Sequence, residues 1–84
     1  MKDLLFYIVS NLVQNKEALK VEQKEDNGTF ILTIIADKSD YGKIIGKNGR
    51  VIQSIRTIMK IYAINNNVRL AVKVGDDERK EKNA

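Results

Sequence analysis

Gly46, Lys47, Asn48 and Gly49 set two glycines around a cation and a carboxamide, inside a stretch, YGKIIGKNGRVIQSIR, that otherwise has the composition of a helix. A glycine in a helix interior costs about 1 kcal/mol relative to alanine, so the pair marks a place where the chain turns. A tight turn needs one glycine. The second, at the start of the following helix, leaves backbone N–H groups exposed at the positive end of that helix's dipole, where a phosphate can sit with Lys47 and Arg50 adjacent in charge. On this reading the chemistry is recognition of a sugar-phosphate chain. On the alternative, the four residues are a sharp corner between two helices, with Lys47 and Asn48 in solvent.

Catalytic readings fare worse. The chain has no Cys and no His, which removes thiolate and imidazole metal ligands and the usual base at neutral pH. The remaining polar residues near the loop, Asp37, Asp40 and Lys43, show no spacing that suggests an acid and base pair. As a nucleotide loop, GKIIGKN fails, because three residues separate Gly42 from Gly46 and Asn rather than Ser or Thr follows Lys47. The expectation is a protein that is not an enzyme and holds no cofactor and no metal.

Charge supports a polyanion partner. The formal net charge is +4. From Tyr41 to Gly75 the charged residues are Lys43, Lys47, Arg50, Arg56, Lys60, Arg69 and Lys73, with no Asp or Glu among them. The closing segment DDERKEKNA has Asp76, Asp77, Glu78 and Glu81 against Arg79, Lys80 and Lys82. It is nearly free of apolar residues and is expected to be disordered. With 84 residues the chain makes one small domain, here residues 1–75, whose core must hold by packing alone. The apolar start LLFYIV is preceded by Asp3, cut short by Ser10 and Asn11 and followed by no small-residue cleavage site, so it is not read as a signal peptide. No run approaches the roughly 20 apolar residues of a membrane span. A cytoplasmic protein without a membrane partner is expected.

The elements that must position the loop follow from periodicity. Leu4, Leu5, Ile8, Val9, Leu12 and Val13 predict a first helix from about Lys2 to Gln14. Ala18 to Lys24 alternates as a strand with one wet face, Asn27-Gly28 supplies the positive φ angles of a tight hairpin, and Thr29 to Ala36 is the β-branched return strand. Ser39 or Asp40 can cap a short second helix that runs to about Ile45. A third helix follows Gly49, with Ile52, Ile55, Met59 and Tyr62 facing the sheet, and ends near Asn65, Asn66 and Asn67. Val68 to Val74 closes the fold as an alternating strand. Helices on one face of a three-stranded sheet bury all these stripes.

With these elements in place, IIGKNGRVIQSIR closely resembles the signature of the KH domain, in which an apolar pair, G-x-x-G and a helix with regularly spaced Ile form a single-stranded nucleic-acid site. The resemblance runs from about residue 2 to 74. It implies an α+β, type II KH fold of order α-β-β-α-α-β, with three helices on one face of a three-stranded mixed sheet. In length and in its single KH unit the chain is similar to the small bacterial proteins of the KhpA (YlqC) type. These bind RNA and act as homodimers or with a larger KH-containing partner of the KhpB (Jag) type.

Carried over by position, the resemblance makes Gly46, Lys47, Asn48 and Gly49 a clamp on the backbone of about four nucleotides of single-stranded RNA. Lys47 would neutralise phosphate and Asn48 would donate to phosphate or sugar, while Lys43 and Arg50 would flank the same path. Ile44, Ile45 and Ile52 are candidates for an apolar floor under the bases, with plain core as the other reading of Ile45 and Ile52. Arg56 either extends the phosphate track or buttresses the turn. The chain departs from relatives in having no Pro and in pairing Lys with Asn where two basic loop residues are common. The function implied is RNA binding as a post-transcriptional regulator or RNA chaperone; the alternative is a protein-interaction adaptor on a KH scaffold.

The third helix carries a second signal. With Ile52, Ile55 and Met59 toward the sheet, a 100° step per residue puts Ile58 and Ile61 on the flank. Either sheet curvature or the first helix covers them, or they form a dimer interface.

Overall fold

A computed structural model describes residues 1–75 of the chain; the tail over 76–84 lies outside the described residues. Its elements are α1 (Lys2–Ser10), β1 (Lys20–Asp26), β2 (Thr29–Ile35), α2 (Tyr41–Ile45), α3 (Arg50–Asn65) and β3 (Arg69–Val74), with single 3-10 turns at Lys16–Ala18, Lys38–Asp40 and Lys47–Gly49. The order α-β-β-α-α-β is the one expected.

The sheet has order β1-β2-β3 and is mixed. β1 and β2 form the antiparallel hairpin, in register from Lys20↔Ile35 to Asp26↔Thr29, and its two-residue turn has Asn27 at φ 52° and Gly28 at φ 83°. Positive φ at both central residues suits the twist of paired strands, which is why Asn-Gly was legible as a hairpin. β3 returns parallel to β2, so α2, the glycine loop and α3 together form the crossover between them. Across the sheet, Val21, Ile34 and Val74 share one row and Leu32 and Val72 the next. All five are buried, and they meet Leu5 and Val9 of α1, Ile44 of α2, and Ile52, Ile55 and Met59 of α3 in a single core. The helices therefore cover one face.

Three boundaries differ from the sequence expectation, each for a local reason. α1 stops at Ser10, not near Gln14, because the Ser10 hydroxyl (2.7 Å) and the Asn11 amide (2.8 Å) both donate to the Tyr7 carbonyl that would have continued the helix. The Asn11 N–H shortens to the Ile8 carbonyl, yet Val13 beyond it still reaches the core. β1 starts at Lys20 because Lys16–Ala18 winds into a 3-10 turn, and it runs on to Asp26 because the tight turn keeps pairing to the end. Along α3 the inner stripe is completed by Ala63 (6% exposed), while Tyr62 is only half-buried.

Candidate nucleic-acid interface

α2 is only five residues long, and it ends where Gly46 adopts φ 78°, ψ 173°. That combination is open essentially to glycine alone. Gly46 is also sterically required: a Cβ there would lie 2.7 Å from Val51 Cβ and 2.9 Å from the Val51 backbone nitrogen, so the first turn of α3 packs directly on its α-carbon. The chain then passes through Asn48 (φ 57°, ψ 25°) and Gly49 (φ 74°, ψ 14°), two successive left-handed residues. Asn tolerates this conformation better than most residues, which gives a backbone reason for its place beside Lys47. A Cβ on Gly49 would meet nothing within 4 Å, so the close approach sits at the first glycine and the second answers only to backbone angle.

The loop is closed by Gly46 N–H on the Gly42 carbonyl (2.8 Å) and Gly49 N–H on the Gly46 carbonyl (3.1 Å). No side chain caps α3, whose N-cap is Gly49. The Arg50 N–H donates to the Lys47 carbonyl, and no side chain caps the N–H groups that follow it in the first turn of this 16-residue helix, at the positive end of its dipole. Lys47, Asn48 and Arg50 are exposed around that terminus. Ile44 and Ile52, at 0% and 5% exposure, are core, whereas Ile45 keeps a half-buried side chain beside the loop.

The one-sign stretch of the sequence is divided in space. Lys43, Lys47 and Arg50 gather at the loop. Arg56 reaches across to β3, where its Nε donates to the Val72 carbonyl at 3.2 Å and ties α3 to the sheet edge. Arg69 and Lys73 alternate with the inward-facing Leu70, Val72 and Val74, so they lie on the sheet face away from the helices.

One acidic group belongs to this site, and sequence reasoning gave it a different role. Neither Ser39 nor Asp40 caps α2 through its side chain. Asp37 instead accepts from the Ser39 N–H (3.0 Å) and hydroxyl and opens the 3-10 turn. Asp40 turns inward, 1% exposed, and its two carboxylate oxygens accept the backbone N–H groups of Gln14 (3.2 Å) and Asn15 (3.0 Å). The Asn15 amide also donates to Asp37 (3.0 Å), so two aspartates before α2 fasten the segment that follows α1. Lys43 Nζ lies 3.6 Å from Asp40 Oδ1. The Asn15 N–H first, then that of Gln14, hold the Asp40 carboxyl below the usual aspartate value, with burial opposing and Lys43 assisting. Among the described residues no cluster of acidic side chains is arranged to hold a metal, and no helix is long and apolar enough to cross a membrane.

An α-β-β-α-α-β chain with helices on one face of a mixed sheet, and a G-x-x-G turn between its last two helices, is a KH domain of the type II arrangement. The family model that matches residues 2–74 is described as KhpA/KhpB, KH domain, and the chain belongs to that family. It is 40% identical over 78 residues to the RNA-binding protein KhpA of Chlamydia caviae, covering 93% of this chain and all of the relative. Identity to the protein of the same name from Clostridium perfringens is 35% over 74 residues, 88% of this chain and 99% of the relative. For that of Borreliella burgdorferi it is 34%, covering 88% and 90%. No solved structure matches closely enough to add to this.

Proposed function

We propose that this protein binds single-stranded RNA by laying about four nucleotides of backbone across the Gly46–Gly49 loop. The observation that carries the reading is the N-terminus of α3, which no side chain caps, opened by two left-handed residues and ringed by exposed Lys47, Asn48 and Arg50. Lys47 and Arg50 supply charge to phosphate, Asn48 a carboxamide donor, and Lys43 a further cation drawn partly toward Asp40. Ile45 is the apolar side chain available to a base. Arg56, already engaged with β3, acts chiefly as a strut, with its remaining guanidinium donors at the margin of the phosphate path. The names of the relatives agree with RNA as the ligand. A cytoplasmic regulator of transcripts or RNA chaperone, without catalytic activity, is the corresponding role.

Ile58 (45% exposed) and Ile61 (56%) favour a second element of the same reading. They form an interface through which the domain pairs with a second copy or with a KhpB (Jag)-type partner. An adaptor function, with incidental RNA affinity, would rest on this face alone.

Fluorescence anisotropy of a labelled short single-stranded RNA separates the two. Replacing Lys47 and Asn48 together with Asp should abolish saturable binding while leaving the circular dichroism unchanged. Equal binding by both proteins would reduce the loop to a structural corner. Partner capture that survives the loop change and fails with Ile58→Asp would mark an adaptor.

A further inference from the structure

The outward face of α3 carries Ser54, Thr57, Ile58, Ile61, Ile64 and Asn65, all exposed and uncharged, with exposed Arg50 seven residues before Thr57 at its N-terminal end. Positions 54, 57 and 58 recur seven residues later as 61, 64 and 65, the repeat of a helix–helix seam. The Ser54 hydroxyl donates to the Arg50 carbonyl (3.1 Å) and the Thr57 hydroxyl to that of Gln53 (3.0 Å). Burying these two against another helix therefore strands no donor.

The stripe is self-complementary in one direction. Ser54 and Asn65, and likewise Ile58 and Ile61, lie symmetrically about a point between residues 59 and 60. A second copy running antiparallel sets each Ile58 against the partner's Ile61 and carries Arg50 just past the partner helix's uncharged end at Asn65 to Asn67. A parallel copy would instead bring both Arg50 residues and both basic loops together and align the helix dipoles unfavourably. The antiparallel arrangement is the one that charge permits.

That geometry fixes a distance. Gly49 lies between ten and eleven residues from the midpoint of the stripe, about 16 Å along the helix. The two loops of an antiparallel pair then stand about 30 Å apart at either common helix-crossing angle. A stacked strand advances about 3.4 Å per nucleotide and an extended one roughly twice that, so 30 Å is about five to nine nucleotides between the centres of the two sites. Half of a four-nucleotide clamp at each end raises the span to about nine to thirteen nucleotides. Because a two-fold axis presents the loops in opposite sense, a bridging strand must curve, which makes this a lower bound.

We propose that the paired protein selects its RNA by unstructured length: strands shorter than about nine nucleotides engage one loop, and longer ones bridge both and bind with avidity. The inference rests on the reading above, that the loop binds RNA and α3 pairs two copies. It is tested by anisotropy with labelled, unstructured oligouridylates from about six to about twenty-four nucleotides, on the wild type and on an Ile58→Asp, Ile61→Asp variant, with sedimentation to fix the oligomeric state. Thr57→Arg is a second seam variant that leaves the core untouched. The expected result is a wild-type dimer with flat affinity up to about eight nucleotides, then a rise of at least about tenfold and a plateau. The seam variants should be monomeric, match the wild type on the shortest RNA, and lack the rise. A wild-type monomer, a rise that persists in the monomeric variants, or a gradual gain in proportion to length would each overturn the proposal. If the shortest RNA binds neither protein, the loop reading falls too; if it binds both and only the rise is missing, the span inference falls alone.

Discussion

At the scale of single residues, the two loop glycines do different work, and alanine substitution separates them. Gly49→Ala places a Cβ in open space and carries the left-handed backbone penalty of about 1–2 kcal/mol. Gly46→Ala adds collision with Val51 to a conformation that non-glycine residues scarcely enter, and should cost at least about 3 kcal/mol. Denaturant titration of both variants checks the order; equal losses would mean that Val51 yields freely. The sequence marked both glycines and their outward-facing neighbours, because a broken helix pattern is a local signal. It was silent on which glycine is packed, since that depends on where Val51 lands after the turn. It was equally silent on Asp40, whose partners Gln14 and Asn15 are 26 and 25 positions away. An aspartate just ahead of a helix looks like a cap, and only the fold shows that it faces backwards.

At the scale of elements, Asp37 and Asp40 join the segment that follows α1, at Gln14 and Asn15, to the beginning of α2, the helix that delivers the loop. Both carboxyls are held below the ordinary aspartate value, Asp37 by the Ser39 N–H first and Asp40 by the Asn15 N–H first. A lowered folded-state pKa contributes stability that is fully present above the unfolded value and is lost as the pH falls through the folded one. Thermal melts should therefore be level from neutrality to about pH 5 and drop below about pH 4. Asp40→Asn, whose amide can accept but also turns a donor toward backbone N–H groups, should melt lower at neutral pH and show a shallower acid drop. An unchanged acid profile in that variant would remove Asp40 from the account. The hairpin and the α3 stripe were legible because their periods are local and unbroken. The end of α1 was not: its apolar spacing continues to Val13, but two side chains capture the Tyr7 carbonyl and the helix gives way first.

At the scale of the whole molecule, the cations of the one-sign stretch are divided between the loop and the outer face of the sheet, so on the proposed reading only those near the loop count toward one RNA site. Three or four neutralised phosphates on a single strand give a log–log salt slope near −2 to −3. Short RNA should show this slope with wild type and seam variants alike, and a bridging RNA about twice the slope with the wild type alone. Titrations at several salt concentrations measure it; a slope near zero would rule out phosphate contact as the main source of affinity.

The parallel pairing of β2 with β3 has a bearing on how the domain comes into being. Asp26 meets Thr29 across a turn, but Thr29 meets Arg69 only after 40 further positions, and the glycine loop lies within that span. Pairings of long sequence separation close late, after the chain has given up the entropy of the intervening loop. The hairpin can form while β3 is still being synthesised, whereas the sheet strand that α3 chiefly packs on is β3 itself, so that contact waits for β3 to dock. Placement of the glycine loop and completion of the sheet are then coupled, and a partly folded chain has the hairpin without the ordered corner between α2 and α3.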